Sequence, residues 1–379
     1  MSQLYEAVVI GAGPAGSAAA TILARHSRSV LLIEKDRLPR AKVCGQFLSS
    51  SAFASLDRLG IRAAIEALRP ESIAHGRIHV PGCRPVAFDL PEPSFGLSRY
   101  ALDDLMARRA EAAGAEIRFE TRVVSIERGP QGFVIHQSGS TGDTAVGARA
   151  VIGAWGRWDG LDRSLTRRFL LRRDRFLGWS RDYSGDTSFL TGLVQLYAFP
   201  GGYCGLSRIE GGVAHLAGVI SEKTRAQCGG SWENVVAHAR ASNPDLDTDL
   251  VRLCPGSFGF LGTGPVFFTR KPPVEDGILM TGDAAGFLDP FSGEGQSMAM
   301  ASGILAAETI ERGLAGELKW ARLPRSYATA WNARFGRRFA WSRVLRHAML
   351  SPLVGSVTAR LAGERVIRAA LQALAPRQA

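Results

Sequence analysis

The feature that most constrains this chain is the turn Gly11-Ala12-Gly13-Pro14-Ala15-Gly16, set between two stretches of opposite periodicity. Residues 5–10 form a short β-rich apolar run, and residues 14–25 are alanine-rich with helical spacing. Val30 to Ile33 read as a second strand that ends at Glu34, 18 residues after the last glycine. Together these segments make a βαβ unit with a dinucleotide fingerprint. Gly11 makes the tight turn, Gly13 lets a pyrophosphate approach the backbone, and Gly16 lets helix and strand pack closely. The helix N-terminus offers amide donors and the positive end of its dipole to phosphates. The Glu34 carboxylate is placed to accept from ribose hydroxyls. This motif does not separate one dinucleotide from another.

A second motif separates them. Gly282-Asp283-Ala284-Ala285-Gly286, followed by Asp289-Pro290 and Gly293-Glu294-Gly295, resembles the flavin motif of the glutathione-reductase-like FAD superfamily. The resemblance implies FAD as cofactor, Asp283 on a ribityl hydroxyl, and the amides of Gly295 and Gln296 at the flavin pyrimidine edge. Reduced flavin carries negative charge there, which a helix N-terminus stabilises. The motif order is similar to that of the branch containing p-hydroxybenzoate-hydroxylase-type monooxygenases, flavin halogenases and geranylgeranyl reductases. Pro39-Arg40-Ala41-Lys42-Val43-Cys44-Gly45 resembles the Cys-Gly element of the geranylgeranyl reductases. By that resemblance Cys44, Pro290, Gly293 and Gly295 are candidates for the reacting region. Gly11, Gly13, Pro14, Ala15, Gly16, Glu34, Lys35, Cys44, Gly45, Arg99, Val123, Gly282, Asp283, Gly295 and Gln296 are candidates for cofactor contact.

The chain also departs from that pattern. Many monooxygenases of this branch carry Asp-Gly where Ala154-Trp155-Gly156 stands here. The Trp-x-Trp-x-Ile-Pro element of halogenases has no counterpart. The Tyr-x-Trp-x-Phe-Pro element of geranylgeranyl reductases is replaced by Tyr203-Cys204-Gly205-Leu206-Ser207-Arg208. Trp155, Trp179, Tyr203 and Cys204 become candidates for pocket lining. No second glycine fingerprint exists for a resident nicotinamide, so the expected electron donor is NAD(P)H docking transiently, or another donor.

The expected fold is α/β, α+β overall: a Rossmann-like FAD domain, an interleaved antiparallel β-sheet substrate domain and a helical C-terminal cap. The boundaries read as 1–75, 96–155 and 270–312 for the FAD domain, 76–95 and 156–269 for the β domain, and 313–379 for the helical region. A helix is expected over 50–69, another from Arg99 to Gly114, strands near 116–119, 122–127, 132–137 and 148–153, and helices over 231–241 and 294–313.

Five scattered cysteines without a C-x-x-C pair, and seven histidines without a metal spacing, give no expectation of a metal. The apolar run 8–24 is broken by three glycines and a proline and lacks a basic start, so it reads as neither signal peptide nor membrane span. A cytoplasmic protein is expected, with peripheral membrane contact as the alternative. The net charge is +11, from 46 basic residues of which only five are lysines. No nucleic-acid module accompanies that charge, and no nucleic-acid partner is expected. Arg334, Arg337, Arg338, Arg343 and Arg346 alternate with Phe335, Phe339, Trp341, Leu345 and Met349 at helical spacing, which is either an amphipathic membrane-surface segment or a packed helix with a solvated face.

The function expected is FAD-dependent redox chemistry on a hydrophobic small molecule, free or on a carrier protein. Geranylgeranyl-reductase-like hydride transfer at a carbon–carbon bond leads. Flavin-dependent hydroxylation of an aromatic or polyketide-type substrate is the rival, and a non-catalytic, membrane-associated flavin binder is the alternative from another class.

Overall fold

A parallel sheet grows from the first βαβ unit because its strands are apolar on both faces. The computed structural model describes residues 3–350 except 130, 141, 173 and 174, and within 341–350 only the side chain of Ser342. Strand Leu4–Ile10 lies between Val30–Ile33 and Gly142–Gly153, parallel to both. Glu116–Arg118 extends the sheet beyond Val30–Ile33, and Ile278–Met280 extends it beyond Gly142–Gly153, again in parallel. Val8, Val9, Leu31, Leu32 and Ile152 are fully enclosed or nearly so. Arg122–Gly129, Gly132–Gly139 and Gly142–Gly153 form an antiparallel meander that joins the same sheet.

Helices Pro14–Arg25 and Gly295–Leu314 pack on each other against this sheet. They approach backbone to backbone: a Cβ on Gly303 would lie 2.0 Å from the Ala15 carbonyl oxygen. The helix Arg99–Ala112, started by Ser98 Oγ accepting from the Ala101 amide at 3.1 Å, packs beside Pro14–Arg25.

Among the described residues the second sheet has nine strands, with Leu253–Pro255, Phe176–Gly185, Ala214–Ser221, Gly202–Arg208, Leu193–Phe199, Glu71–His79, Val86–Gly96 and Phe47–Leu48 in spatial order, and Leu261–Gly262 pairing Phe176–Gly185. Its pairs are antiparallel except Leu193–Phe199 with Glu71–His79. Side chains alternate faces along a strand. Tyr197, Phe199, Cys204, Leu206, Leu216 and Ile220 therefore pack under helices Trp232–Ser242 and Pro244–Val251. Val194, Leu196, Tyr203, Gly205, Ala217 and Val219 face the other way, into a cavity.

Some elements differ from the sequence reading. The helix expected over 50–69 is a 3-10 turn, Ser50–Ala52, followed by helices Phe53–Leu59 and Arg62–Ala67. Gly60 breaks it, in the left-handed region at φ 64. The strand expected from 148 begins at Gly142. Helix Pro244–Val251 was not anticipated, although Asn243 capping the Leu246 amide ahead of a first-turn proline is the usual start signal.

In the helix Leu323–Leu350, Tyr327, Trp331 and Phe335 are wholly buried in the first core. Arg338 is buried beside Glu294 at 3.6 Å, while Arg334 and Arg337 are exposed. Over 331–339 the apolar face is thus spent on the protein itself, as in a packed helix. Trp341, Arg343, Leu345, Arg346 and Met349 lie outside the described side chains. Among the described residues no helix is long and apolar enough to cross a membrane.

Gly303→Ala is expected to force the two helices apart and cost about 1–3 kcal/mol, the usual range for an overpacked core. The measurement is the urea unfolding midpoint, and an unchanged midpoint would show that the contact at Ala15 is slack.

Candidate active site

The glycine turn behaves as its spacing demands. Gly11 has φ 105, and a Cβ there would lie 2.5 Å from the Ala154 carbonyl oxygen. A Cβ on Gly16 would lie 1.8 Å from the Gly11 oxygen. At Gly13 the nearest atom is Arg99 Nη2 at 3.7 Å, so the approach to the turn is open. The helix that follows has no side-chain cap, which leaves its first-turn amides free for an anion. Glu34, nearly fully buried, accepts from the Ala12 amide at 2.8 Å and the Asp36 amide at 3.1 Å. It therefore braces the turn as well as presenting its remaining lone pairs.

Arg99 reaches the turn from the head of its own helix. Its guanidinium is held by Asp103 in a two-point contact, Nε to Oδ1 at 2.6 Å and Nη2 to Oδ2 at 2.7 Å. Burial alone would lower its pKa, but the charge and hydrogen bonds of Asp103 hold it above the usual arginine range.

At the other end, the Gly282–Ala284 turn follows the strand Ile278–Met280 and is tied down by the Gly282 amide donating to Ser302 Oγ at 2.8 Å. The Asp283 carboxylate lines the cavity and has no hydrogen-bond or ion-pair partner among the described residues. Helix Gly295–Leu314 also lacks a side-chain cap, and a Cβ on Gly295 would meet nothing within 4 Å. Gln296 directs Nε2 to Cys44 Sγ at 3.5 Å and to the Phe47 carbonyl at 3.4 Å, leaving its buried Oε1 without a partner. A free carboxylate, open helix-start amides and an orphaned amide oxygen fit a polyhydroxyl chain ending in an imide-bearing ring. That is the flavin half of FAD.

Between the two ends the cavity, of about 310 Å³, continues across the second sheet along Phe88, Leu90, Val194, Leu196 and Val219. Residues 5–169 match the family model described as an FAD binding domain. The chain is 29% identical to digeranylgeranylglycerophospholipid reductase 2 of Methanosphaera stadtmanae over 81% of this chain and 78% of that protein. It is also 29% identical to menaquinone reductase of Mycobacterium tuberculosis over 94% and 87%. This chain is an FAD-dependent oxidoreductase. Its fold is shared with a geranylgeranyl bacteriochlorophyll reductase-like protein of Thermoplasma acidophilum, at TM-score 0.77, 22% identity and coverage of 98% and 96%. It is shared too with a flavin-dependent brominase, at TM-score 0.83, 20% identity and coverage of 98% and 94%.

The flavoprotein brings most of the residues singled out in its sequence to one cavity. Gly13, Pro14, Ala15, Cys44, Gly45, Arg99, Gly282, Asp283, Pro290, Gly293, Gly295 and Gln296 line it. Gly11 and Gly16 sit behind the turn as packing residues. Glu34, Lys35 and Val123 stand off the lining. The Thr121 amide donates to the Glu34 carbonyl at 3.0 Å, which sets Val123 near Glu34, and Lys35 Nζ pairs with Asp159 at 3.3 Å. Tyr203 lines the cavity, whereas Cys204 is buried in the other face of the sheet, in the same cluster as Trp179, which borders the cavity and is itself fully buried. Trp155 turns behind the sheet and donates Nε1–H to Asp162 Oδ2 at 3.1 Å. Glu294 turns away as well, accepting from Ser51 at 2.6 Å and Ser297 at 2.7 Å. Among the described residues no group of three or more His, Cys, Asp or Glu side chains could hold a metal ion.

Three cations escaped the sequence reading. Lys42 and Arg157 line the cavity with no hydrogen-bond or ion-pair partner among the described residues. Burial and the neighbouring Arg99 and Arg40 push the Lys42 pKa down to about 8, and burial lowers that of Arg157. Lys271, almost wholly enclosed, donates to the carbonyls of Arg157 and, at 2.8 Å, Asp283, so it ties together two loops of the cavity wall. Burial brings its pKa down to about 7 against the charges of Asp162 and Asp283. Arg167 completes this buried knot, donating to Asp162 Oδ1 and the Ala284 carbonyl, each at 2.9 Å. The signal available beforehand was scarcity: in a chain with five lysines, two stand here.

Asp283→Ala is expected to weaken FAD binding about 10- to 100-fold, the worth of a hydrogen bond to a charged group of about 1.5–3 kcal/mol. Lys271→Met, which leaves that carboxylate in place, is expected to weaken it less. Flavin fluorescence titration measures both, and wild-type affinity in Asp283→Ala would place the ribityl chain elsewhere.

Proposed function

We propose that this flavoprotein reduces a carbon–carbon double bond in a hydrophobic, isoprenoid-like substrate. The observation that carries the reading is the continuity of the cavity. It runs from Asp283, Gly295 and Gln296 into a channel walled by Phe88, Leu90, Val194, Leu196 and Val219. Such walls hold an apolar chain by burial, worth about 25 cal/mol per Å² of surface removed from water. Relatives at 29% identity named for reduction of a geranylgeranyl phospholipid and of menaquinone support the same class.

When bound and reduced, FAD supplies the hydride. Cys44 is the proton donor we propose, a reading supported by its sulfur accepting from the Gln46 amide at 3.4 Å and from Gln296 at 3.5 Å and by its place in the cavity wall. Tyr203 shapes the opposite wall, donating to Asp289 while its oxygen accepts from the Phe291 amide at 2.9 Å. The apolar lining excludes water and leaves the double bond between these groups. Electrons arrive from NAD(P)H docking transiently, and the net charge of +11 suits an anionic bilayer or acidic carrier presenting the substrate.

The test is turnover of an isoprenoid quinone or a geranylgeranyl glycerophospholipid with NADPH or dithionite in the absence of oxygen. A product two mass units heavier is expected. A product sixteen units heavier, formed only in air, would assign the cavity to hydroxylation instead. Val219→Trp is expected to cut kcat/KM for long chains about tenfold or more by blocking the channel, while FAD affinity stays as in the wild type.

A further inference from the structure

We propose that His215, backed by Asp182, is the positioning residue for the turn that carries Cys44. The proposal rests on the reading that this turn serves the reduction.

The segment between Ile33 and Phe47 contains no helix or strand, and its cavity end is Cys44-Gly45-Gln46. Gln46 sits at φ 53, a left-handed conformation that a side-chain-bearing residue adopts only when its surroundings impose it. Part of the restraint comes from the end of the neighbouring strand: the Leu97 amide donates to the Gln46 carbonyl at 2.9 Å. The rest comes from a strand 169 positions away. His215, only 2% exposed, shares a face of strand Ala214–Ser221 with the cavity residues Ala217 and Val219.

Its Nε2 lies 2.7 Å from the Cys44 carbonyl oxygen, which only accepts, so this nitrogen carries a hydrogen. Its Nδ1 lies 2.5 Å from Asp182 Oδ1, directly across the strand pair, where a carboxylate likewise accepts. With both nitrogens donating, the ring cannot rotate without losing one acceptor. The same state requires the Gln46 carboxamide, 3.1 Å from Nδ1, to turn its oxygen towards the ring. His215 is absent from the cavity lining, so it acts through the Cys44 carbonyl and the Gln46 carboxamide of the turn. What it sets is the position of the Cys44 sulfur relative to Gln296 on one side and the substrate channel on the other.

The test uses the full chain loaded with FAD, carrying His215→Phe or His215→Gln. Four quantities are read: anaerobic kcat, KM, FAD affinity, and the rate of Cys44 alkylation by iodoacetamide in a background with Cys83, Cys228 and Cys254 replaced by serine. His215→Phe keeps the bulk and removes both donors. It should lower kcat about 10- to 100-fold, as a misplacement of roughly 1 Å does, change the alkylation rate several-fold, and leave KM and FAD affinity near wild type. His215→Gln can still donate to the Cys44 carbonyl and should restore most of both. Unchanged kcat and alkylation in His215→Phe overturns the proposal. So does equal loss of FAD in both variants, which marks a merely structural residue. If His215→Phe does not fold, Asp182→Asn makes the same comparison, with a shifted alkylation rate expected and an unchanged rate overturning the proposal. Cys44→Ala separates the two readings. If its turnover is unimpaired while His215→Phe still shifts alkylation, the proton-donor reading fails and the positioning stands.

Discussion

The helices Pro14–Arg25 and Gly295–Leu314 begin the two ends of the site, and they meet where no side chain intervenes. A Cβ at Gly303 would fall 2.0 Å from the Ala15 oxygen, and one at Gly16 would fall 1.8 Å from the Gly11 oxygen. Strand, turn, first helix and the helix Gly295–Leu314 are thereby stacked at backbone distance. This fixes the spacing between the open amides at Gly13 and Ala15 and those at Gly295 and Gln296. A cofactor held at both ends would bridge that spacing. Side chains at these positions would widen it by the thickness of a methyl group or more.

Around this stack the charges are arranged for an anion. Arg99 is already neutralised by Asp103, and Arg40 stands among Glu34, Asp36 and Asp103. Lys42 and Arg157 stand in the cavity wall with no hydrogen bond or ion pair among the described residues, although the charges of Asp103 and Asp283 respectively act on them. Their lowered pKa values express the cost of burying a cation that the neighbouring carboxylates offset only in part. A pyrophosphate beside Gly13 would offset that cost. Lys271 lies on the other side of the wall and contributes no direct contact to the cavity. Its role is to hold the carbonyls of Arg157 and Asp283 to one point.

The α/β class was legible because its turns leave local marks: Gly11 and Gly114 at positive φ, and a continuous apolar run at Val30–Ile33. Missed boundaries have equally local reasons. Gly60 was read through as part of a longer helix, and the Asn243-Pro244 start signal was passed over. The C-terminal arginine pattern allowed a surface helix or a packed one, since periodicity reports a stripe and not its partner. Packing of Trp331 and Phe335 into the first core supplied the partner.

By itself the sequence determined the dinucleotide turn, the acidic end of the second strand and the glycine-rich loop with Asp283, because each of these must satisfy backbone geometry within a few residues. Only the tertiary structure decided that Trp155 faces Asp162 and leaves the cavity, that Lys271 ties two loops, and that His215 reaches the Cys44 carbonyl. Those contacts join strands and loops up to 171 positions apart. Their residues meet through sheet register and side-chain alternation, and a contact made that way leaves no pattern in the neighbouring sequence.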